Sequence, residues 1–350
     1  MLDQVIGNLS AADQPTVLLH LPGGARLLVL PFGGRVLSLC PPDSDQSFLW
    51  LNPALTNPQT AASYLQQDGW RNPGGDRTWV APEIDLFVAD LGRPFETYQV
   101  PAAVDPAAWV VQAQGQDRIT LRTTGDLRLM RSRTTVRATI EKTVLPAADP
   151  LAEGGNLDSG LSYAGYTQRT VLEVELARAG QTVASVGLWS LLQLPQPGEM
   201  RVATWIEAGP RVVFGPLEPG ELTNSVRLLR WRMEPGSATT KIAVKAGPLA
   251  GRAGYLWGRD GIWQLVVRQF GVWPGAAYID GLWEPPHETG FAFQACAVRA
   301  GAESFSELEY HAPAVQTVAS ANRYQDESRV WAYRGSREAV EAAAHRLLGE

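Results

Sequence analysis

Two short stretches of alternating sequence decide the fold: RITLRT at positions 118–123 and VRATIEKTV at positions 136–144. Apolar side chains at positions 119 and 121, and at positions 136, 138, 140 and 144, alternate with polar ones. A period of two places the apolar side chains on one face of an extended chain and the polar ones on the other. These stretches therefore predict antiparallel strands, each with one buried and one solvated face.

Turn-forming residues separate the alternating stretches. We predict turns at Gly115-Gln116-Asp117, at Gly125-Asp126 and at Asp260-Gly261. The last turn joins the apolar runs 255–257 and 262–267, so this part of the chain predicts a β-hairpin.

The C-terminal residues follow a helical pattern instead. Between Ser336 and Leu348, the residues Val340, Ala344 and Leu347 fall on one helix face, and Ser336 suits the N-cap position. No change in composition marks a domain boundary before this helix. We therefore expect one large all-β domain of two sheets over residues 1–335, with a short C-terminal helix over residues 336–350 packed against it.

Composition excludes several classes of protein. The 350 residues are 45% hydrophobic and 19% charged, which is enough apolar material for a large core. The net charge of -6 argues against nucleic acid or an anionic membrane surface as the main partner. No apolar run approaches the ~20 residues of a membrane-spanning helix.

The remaining features of the sequence predict a cytoplasmic protein that needs no cofactor. The first twelve residues lack the basic and apolar regions of a signal peptide. Two cysteines, Cys40 and Cys296, cannot form a disulfide framework, so we expect a reducing compartment. Nucleotide-binding and hydrolase motifs are missing, and no spacing of acidic or sulfur ligands indicates a metal site.

A first cluster of candidate site residues lies in GGDRTWVAPE, residues 74–83. Asp76, Arg77 and Glu83 can form hydrogen bonds with sugar hydroxyls, while Trp79 can stack on the C–H face of a sugar ring. The alternative interpretation is a glycine-containing turn with an internal Asp–Arg ion pair.

A second cluster lies in DGLWEPPHETG, residues 280–290. Asp280 and Trp283 are candidate ligand contacts, and His287 is the best candidate in the chain for a group that titrates near neutral pH. Loop residues of this chemistry often point into clefts. The alternative is a solvated proline-rich loop with a surface histidine.

A third cluster lies on one predicted strand. In SELEYH, alternation places Glu307, Glu309 and His311 on one face, with Leu308 and Tyr310 on the other. A glutamate and a histidine two residues apart can act as base and acid. The alternative is an exposed strand face that carries charges.

The order of several motifs resembles a known superfamily. These motifs are ARLLVLPFGGRVLSL (25–39) followed by FLWLNP (48–53), the cluster at 74–83, LVVRQF (265–270), YIDG (278–281) and SELEYHAP (306–313). Together they resemble the galactose mutarotase-like (aldose 1-epimerase-like) superfamily, with the closest likeness to its bacterial families of unknown function. The resemblance implies a large antiparallel β supersandwich.

The resemblance also implies a site. Epimerases of this superfamily use a glutamate on a late strand as the general base and a mid-chain histidine as the general acid. Glu309 matches the glutamate position, but Trp189 stands where the histidine is expected, and an indole cannot act as that acid. His287 or His311 would then have to supply the proton.

The sequence thus predicts a carbohydrate-binding protein with a mutarotase-like cleft. If the protein is catalytic, we expect a sugar mutarotase or epimerase with Glu309 as base. The expected ligand is a small molecule or an oligosaccharide. The expected ligand contacts are Asp76, Arg77, Trp79, Glu83, Asp280 and Trp283. One alternative is a saccharide-binding or sensor module without catalysis. Another is a lyase or hydrolase on the same architecture, for which Glu83 and Glu309 are the carboxylate pair to test. The sequence determines neither the sugar nor the oligomeric state.

Overall fold

Two large antiparallel sheets form most of the molecule in the computed structural model, which describes residues 1–152, 160–178, 183–281, 289–317 and 322–350. Their strands, in chain order, are β1 (Val17–His20), β2 (Arg26–Leu30), β3 (Arg35–Cys40), β4 (Asp76–Ala81), β5 (Val110–Gln114), β6 (Ile119–Leu129), β7 (Thr134–Pro146), β8 (Ser162–Leu176), β9 (Ser185–Leu194), β10 (Gly198–Thr204), β11 (Arg211–Phe214), β12 (Leu222–Asn224), β13 (Leu228–Met233), β14 (Thr240–Val244), β15 (Leu249–Arg259), β16 (Ile262–Gln269), β17 (Phe293–Val298), β18 (Phe305–His311), β19 (Val315–Gln316) and β20 (Asn322–Gly335).

Each sheet has ten strands within the described residues. The first sheet runs β1-β2-β3-β4-β9-β18-β17-β14-β11, and β19 pairs with one end of β9 outside this row. The second runs β12-β13-β10-β15-β16-β20-β8-β7-β6-β5. The apolar faces of both sheets meet in one continuous core. The predicted all-β supersandwich is therefore confirmed.

The first predicted strands pair with each other. Ile119 at the start of β6 lies opposite Val144 in β7, and both side chains are fully buried, as the alternation predicts. The hairpin at Asp260-Gly261 is also confirmed, with positive φ angles of 53° and 78° that suit a two-residue turn between β15 and β16.

One predicted turn is wrong. Gly125-Asp126 lies inside β6, where Gly125 pairs with Ala138 of β7. A Cβ atom on Gly125 would lie 3.3 Å from the Cβ of Ala103, so this glycine provides room for close packing and does not reverse the chain.

The described residues also form four α-helices, and three of them cover parts of the outer faces of the sheets. They are α1 (Leu2–Ala11), α2 (Pro58–Leu65), α3 (Glu83–Leu86) and α4 (Arg337–Leu348), with short 3₁₀ segments at Pro22–Gly24, Pro53–Thr56 and Gly301–Glu303. The predicted C-terminal helix is confirmed as α4, and the hydroxyl of Ser336 accepts a hydrogen bond from the backbone N–H of Ala339 at 3.2 Å. Its apolar face packs on the outer side of β15, β16 and β20.

The helices α1 and α2 were not expected. Leu2, Val5 and Leu9 of α1 pack with Ala61 and Leu65 of α2 on the outer face of β2 and β3. These strands are buried on both sides for that reason. None of the helices in the described residues is both long and apolar enough to cross a membrane.

Charged groups are buried between the two sheets. Asp76 of β4 accepts two hydrogen bonds from Arg268 of β16, at 3.0 and 2.6 Å, and a third from the hydroxyl of Tyr166 at 2.6 Å. Lys142 of β7 is fully buried, and its ammonium donates a hydrogen bond to the carbonyl of Gly34 at 2.7 Å. Burial lowers the pKa of Lys142 to about 7, so its protonated form destabilises the native state.

We predict that Lys142→Met changes how stability depends on pH. Between pH 7 and about 10.4, the unfolded lysine binds a proton that the folded one does not, so the native protein gains stability as pH rises. The variant lacks this contribution of up to about 1.4 kcal/mol per pH unit. Urea unfolding at pH 7, 8 and 9 measures it, with the partly exposed Lys245→Met as control. A stability difference between wild type and Lys142→Met that is the same at each pH would contradict the prediction.

Candidate functional site

The candidate site lies on the face of the first sheet that points away from the second sheet. Asp76 and Thr78 of β4 point toward the second sheet, where Arg268 and Gln168 are their partners. Strand alternation then directs Arg77 and Trp79 to the opposite face. Side chains of β9, β18, β17 and β14 join them there.

Two glycines fix the start of β4. Gly74 and Gly75 have φ angles of 104° and 81°. A Cβ atom on Gly74 would lie 2.3 Å from the carbonyl oxygen of Trp50, and one on Gly75 would lie 2.2 Å from that of Val36. Any larger residue would push β4 away from the neighbouring backbone, so the diglycine sets the position of the site residues that follow it.

A cavity of about 380 Å³ opens over this face. Its inner walls include Trp70, Trp79 and Trp189, and the rings of Trp70 and Trp189 both lie edge-on to Trp79. Pockets of this size with mostly apolar walls and a few polar groups are typical of small-molecule sites.

The first buried ion pair on the cavity floor joins Arg77 and Glu307. The guanidinium donates a hydrogen bond to Glu307 at 2.9 Å, and the amide of Gln193 donates a second one at 3.0 Å. Arg77 also lies over the ring of Trp79, 4.1 Å from its centroid. Arg77 and Glu307 are both buried, so each needs the other to offset the loss of hydration.

Lys241 of β14 is the second buried cation. Its ammonium lies 3.1 Å from Glu309, 3.7 Å from Glu83 and 4.7 Å from the centroid of the Trp189 ring. Burial alone would lower the pKa of Lys241, but the charges of Glu309 and Glu83 outweigh it, and the pKa is raised. Lys241 is therefore charged at neutral pH.

Glu309 is held from two sides. The indole N–H of Trp189 donates a hydrogen bond to Oε2 of Glu309 at 2.9 Å, and Lys241 contacts the same oxygen. Burial raises the pKa of Glu309 to about 7, although Lys241 acts in the opposite direction. Glu309 is 1% exposed and does not line the cavity, whereas Lys241 and Trp189 do.

Glu83 is the carboxylate on the other side of Lys241, and it does line the cavity. The hydroxyl of Tyr98 donates a hydrogen bond to its Oε1 at 2.7 Å. The backbone N–H of Glu83 donates a hydrogen bond to the carboxylate of Asp280 at 2.7 Å. The side-chain amide of Gln294 donates a second hydrogen bond to the same carboxylate at 2.7 Å. Burial raises the pKa of both carboxyls. Asp280 thus holds the start of α3 in place and does not line the cavity.

His311 is buried beside the site. Its ring stacks on Trp189 with centroids 5.3 Å apart, and its Nε2 lies 3.6 Å from the carboxylate of Asp280. Neither ring nitrogen makes a hydrogen bond within the described residues. Burial and then Lys241 lower the pKa of His311 well below its usual value, so the imidazole is neutral at physiological pH and holds no proton to donate as an imidazolium.

The structure brings some of the predicted site residues together and separates others. Arg77, Trp79 and Glu83 line the cavity. Asp76 lies on the opposite face of β4 and pairs with Arg268, not with Arg77 as the turn interpretation expected. The other predicted residues, Trp283 and His287, lie outside the described residues.

Sequence reasoning missed several residues that the structure adds. Lys241 had a signal, because a single charged residue interrupts the apolar strand TKIAV. Glu307 was expected on the strand face of Glu309, but not as a residue of the cavity. Tyr98 and Trp70 had none, because they reach the cavity from irregular segments whose path the sequence pattern does not predict.

Cys296, Glu307 and Glu309 lie close enough together for their ligand atoms to approach within 4.8 Å of one another. The two carboxylates are already compensated by Arg77 and Lys241. Burial also raises the pKa of the Cys296 thiol well above its usual value, which keeps it protonated. This donor set does not fit a metal ion.

Comparison with solved structures shows the fold. A protein from Escherichia coli K12 with the provisional name aldose 1-epimerase superposes with a TM-score of 0.50 at 13% identity, over 91% of this chain and 99% of that chain. A galactose mutarotase-like protein from Lactobacillus casei ATCC 334 gives a TM-score of 0.47 at 10% identity, over 91% and 100% of the two chains. No protein-family profile and no curated protein sequence matches the chain. The chain has the galactose mutarotase-like fold, and the resemblance is confirmed at that level.

We predict that Lys241→Met destabilises the protein by about 3–5 kcal/mol at pH 8, because Glu83 and Glu309 then remain buried without their cation. The loss should be smaller at pH 5.5, because this pH lies below the pKa of about 7 at Glu309 and its carboxyl can take up a proton. Urea unfolding of Lys241→Met, Glu309→Gln and the double variant measures the coupling. Losses that add to within about 0.5 kcal/mol would show that Lys241 and Glu309 do not depend on each other.

Proposed function

We propose that this chain, which has the galactose mutarotase-like fold, binds a neutral saccharide in the cavity over its first sheet. The observation that carries the proposal is the combination of indole walls with a buried, hydrogen-bonding floor. A sugar ring has the same two characters, because its C–H faces are apolar while its hydroxyls donate and accept hydrogen bonds. Trp70 and Trp79 suit the faces, and Arg77 and Glu83 suit the hydroxyls.

Two buried polar atoms on the cavity floor support this proposal. Nε of Arg77 forms no hydrogen bond within the described residues, and neither does Oε2 of Glu83, whose nearest cation is the ammonium of Lys241 at 3.7 Å. Buried polar atoms without partners are rare in native proteins and often indicate a missing ligand or water. A hydroxyl group can accept from Arg77 or donate to Glu83, so a polyol satisfies both.

The charges of the cavity favour a neutral ligand. Arg77 is paired with Glu307, and Lys241 is shared by Glu83 and Glu309. Glu303 adds an exposed carboxylate at the outer end. A phosphate or a uronate would therefore meet carboxylates and compensated cations.

Saturation-transfer NMR on the whole chain tests the proposal. We expect transfer to at least one neutral hexose, pentose or short oligosaccharide, and weaker binding of the matching 6-phosphate and uronate. Trp70→Leu should weaken binding about ten-fold through the loss of an aromatic face. Trp205→Leu is the matched control, because Trp205 is 69% exposed and does not line the cavity. Tighter binding of the phosphate, or no transfer to any neutral saccharide, would refute the proposal.

Anomer interconversion is a second candidate function, favoured by the pKa of about 7 at Glu309. In this reaction a base removes the proton from O1, the C1–O5 bond breaks, and O5 takes up a proton from an acidic group or from water. The open-chain aldehyde then closes on either face. A general base works best when its pKa lies near the working pH. Glu309 is the base that the resemblance implies, whereas Glu83 is the carboxylate that lines the cavity.

Exchange between α and β anomer signals separates the two bases. If Glu309 is the base, Glu309→Gln should abolish exchange while the sugar still binds, and the wild-type rate should fall as pH drops through about 7. If Glu83 is the base, Glu83→Gln should abolish exchange instead. Glu303→Gln, at the exposed end of the cavity, is the control. Full exchange in both Glu309→Gln and Glu83→Gln would remove this candidate, and wild-type binding without exchange would favour a binding module.

Glycoside hydrolysis fits the geometry less well. That reaction needs two carboxylates on opposite sides of an open space that holds the glycosidic bond. Here Lys241 lies between Glu83 and Glu309 and contacts both.

A further inference from the structure

The cavity changes its chemistry from one end to the other. Its floor, which we define as Asn72, Arg77, Glu83, Lys241 and Glu307, is polar, and each of these residues is at most 8% exposed. The wall between floor and opening is formed by the tryptophans described above. The deepest part of the cavity is therefore its most polar part.

The opening is largely apolar, with the exposed carboxylate of Glu303 at its edge. We define the mouth as Pro94, Phe95, Phe214, Val298 and Ala300, all apolar and all at least partly exposed. Phe95 is 71% exposed, and its ring lies edge-on to Phe214 with centroids 6.2 Å apart. Exposed aromatic residues grouped at the entrance of a polar pocket mark an apolar interaction surface beside it.

The cavity is also larger than one hexose ring. Twelve water molecules at liquid density occupy about 360 Å³. The twelve non-hydrogen atoms of a hexose are covalently bonded and therefore take up less space than that. A cavity of about 380 Å³ leaves room beyond the ring, on the side of the mouth.

We propose that the ligand is a glycoside with an apolar aglycone, whose sugar lies on the floor and whose aglycone packs against the rings of Phe95 and Phe214. This proposal rests on the proposed saccharide function and specifies its ligand class. The sugar would take the hydrogen bonds that Glu83 and Arg77 lack, and the aglycone would cover the exposed rings of the mouth. A sugar alone would leave the aromatic rings of the mouth uncovered, and an apolar group alone would leave the polar atoms of the floor without hydrogen bonds.

Matched pairs of methyl and phenyl glycosides of glucose, galactose, mannose and xylose test the proposal by isothermal titration calorimetry on the whole chain, with phenol alone as a third probe. For the sugar that binds, the phenyl glycoside should bind about ten-fold tighter than the methyl glycoside, which is what one added aromatic contact is worth. Phe95→Ala should bring the phenyl-to-methyl affinity ratio close to one. Trp205→Ala, which removes an equally exposed aromatic residue elsewhere, should leave the ratio unchanged.

The outcomes distinguish the two proposals. Equal affinity for methyl and phenyl glycosides would overturn the aglycone assignment and leave saccharide binding standing. A ratio that Phe95→Ala does not change would also overturn the assignment, because the aglycone would then lie elsewhere. Binding of phenol as tight as that of the phenyl glycoside, or no binding of any glycoside, would overturn saccharide binding itself.

Discussion

Compensation of buried charge is the constraint on which the candidate site depends. Three carboxylates and two cations lie on one face of the first sheet, and each would be costly to bury alone. Lys241 resolves most of this cost, because a single ammonium on β14 contacts Glu309 of β18 and Glu83 at the start of α3. The strand order places β14 two strands from β18, within reach of a lysine side chain. The charge compensation of the site therefore depends on the strand order, because another order would separate Lys241 from its two carboxylates.

A second buried charge organises the aromatic walls. The carboxylate of Asp105 accepts hydrogen bonds from the indole N–H groups of Trp70 and Trp79, at 2.9 and 3.0 Å, and pairs with the fully buried Arg35. A Cβ atom on Gly33 would lie 2.7 Å from this carboxylate. The GGR sequence that carried part of the resemblance forms the turn between β2 and β3, with φ angles of 75° and 60° at Gly33 and Gly34. It also supplies the cation that pairs with Asp105 and leaves room for this acid, which orients the two indoles.

The sequence predicted the parts of the fold that local pattern encodes. Alternation located the strands, and the face shared by Glu307 and Glu309 was read correctly, because strand periodicity depends on nothing distant. The helix α1 was not predicted, although Leu2, Val5 and Leu9 have helical spacing. A helix of ten residues depends on tertiary packing, which α2, β2 and β3 supply here. The partners of the charges could not be predicted. Asp76 is adjacent in sequence to Arg77 but pairs with Arg268, 192 positions away, because neighbouring strand residues point to opposite faces.

Trp189 gives the site its chemical character. At a position where the resemblance leads us to expect a histidine, the indole supplies a hydrogen-bond donor that cannot titrate. It holds Glu309 as an acceptor whatever the pH, and its ring supports the ammonium of Lys241. An imidazole could exchange a proton with a ligand, whereas this indole can only orient its neighbours. With Trp189 at this position, the site lacks a histidine that could transfer a proton. It has instead an aromatic surface on which Glu309 and Lys241 are held in fixed positions. Under the proposed function, that surface recognises a sugar by its shape and hydroxyls, and any proton transfer at the site falls to groups other than Trp189.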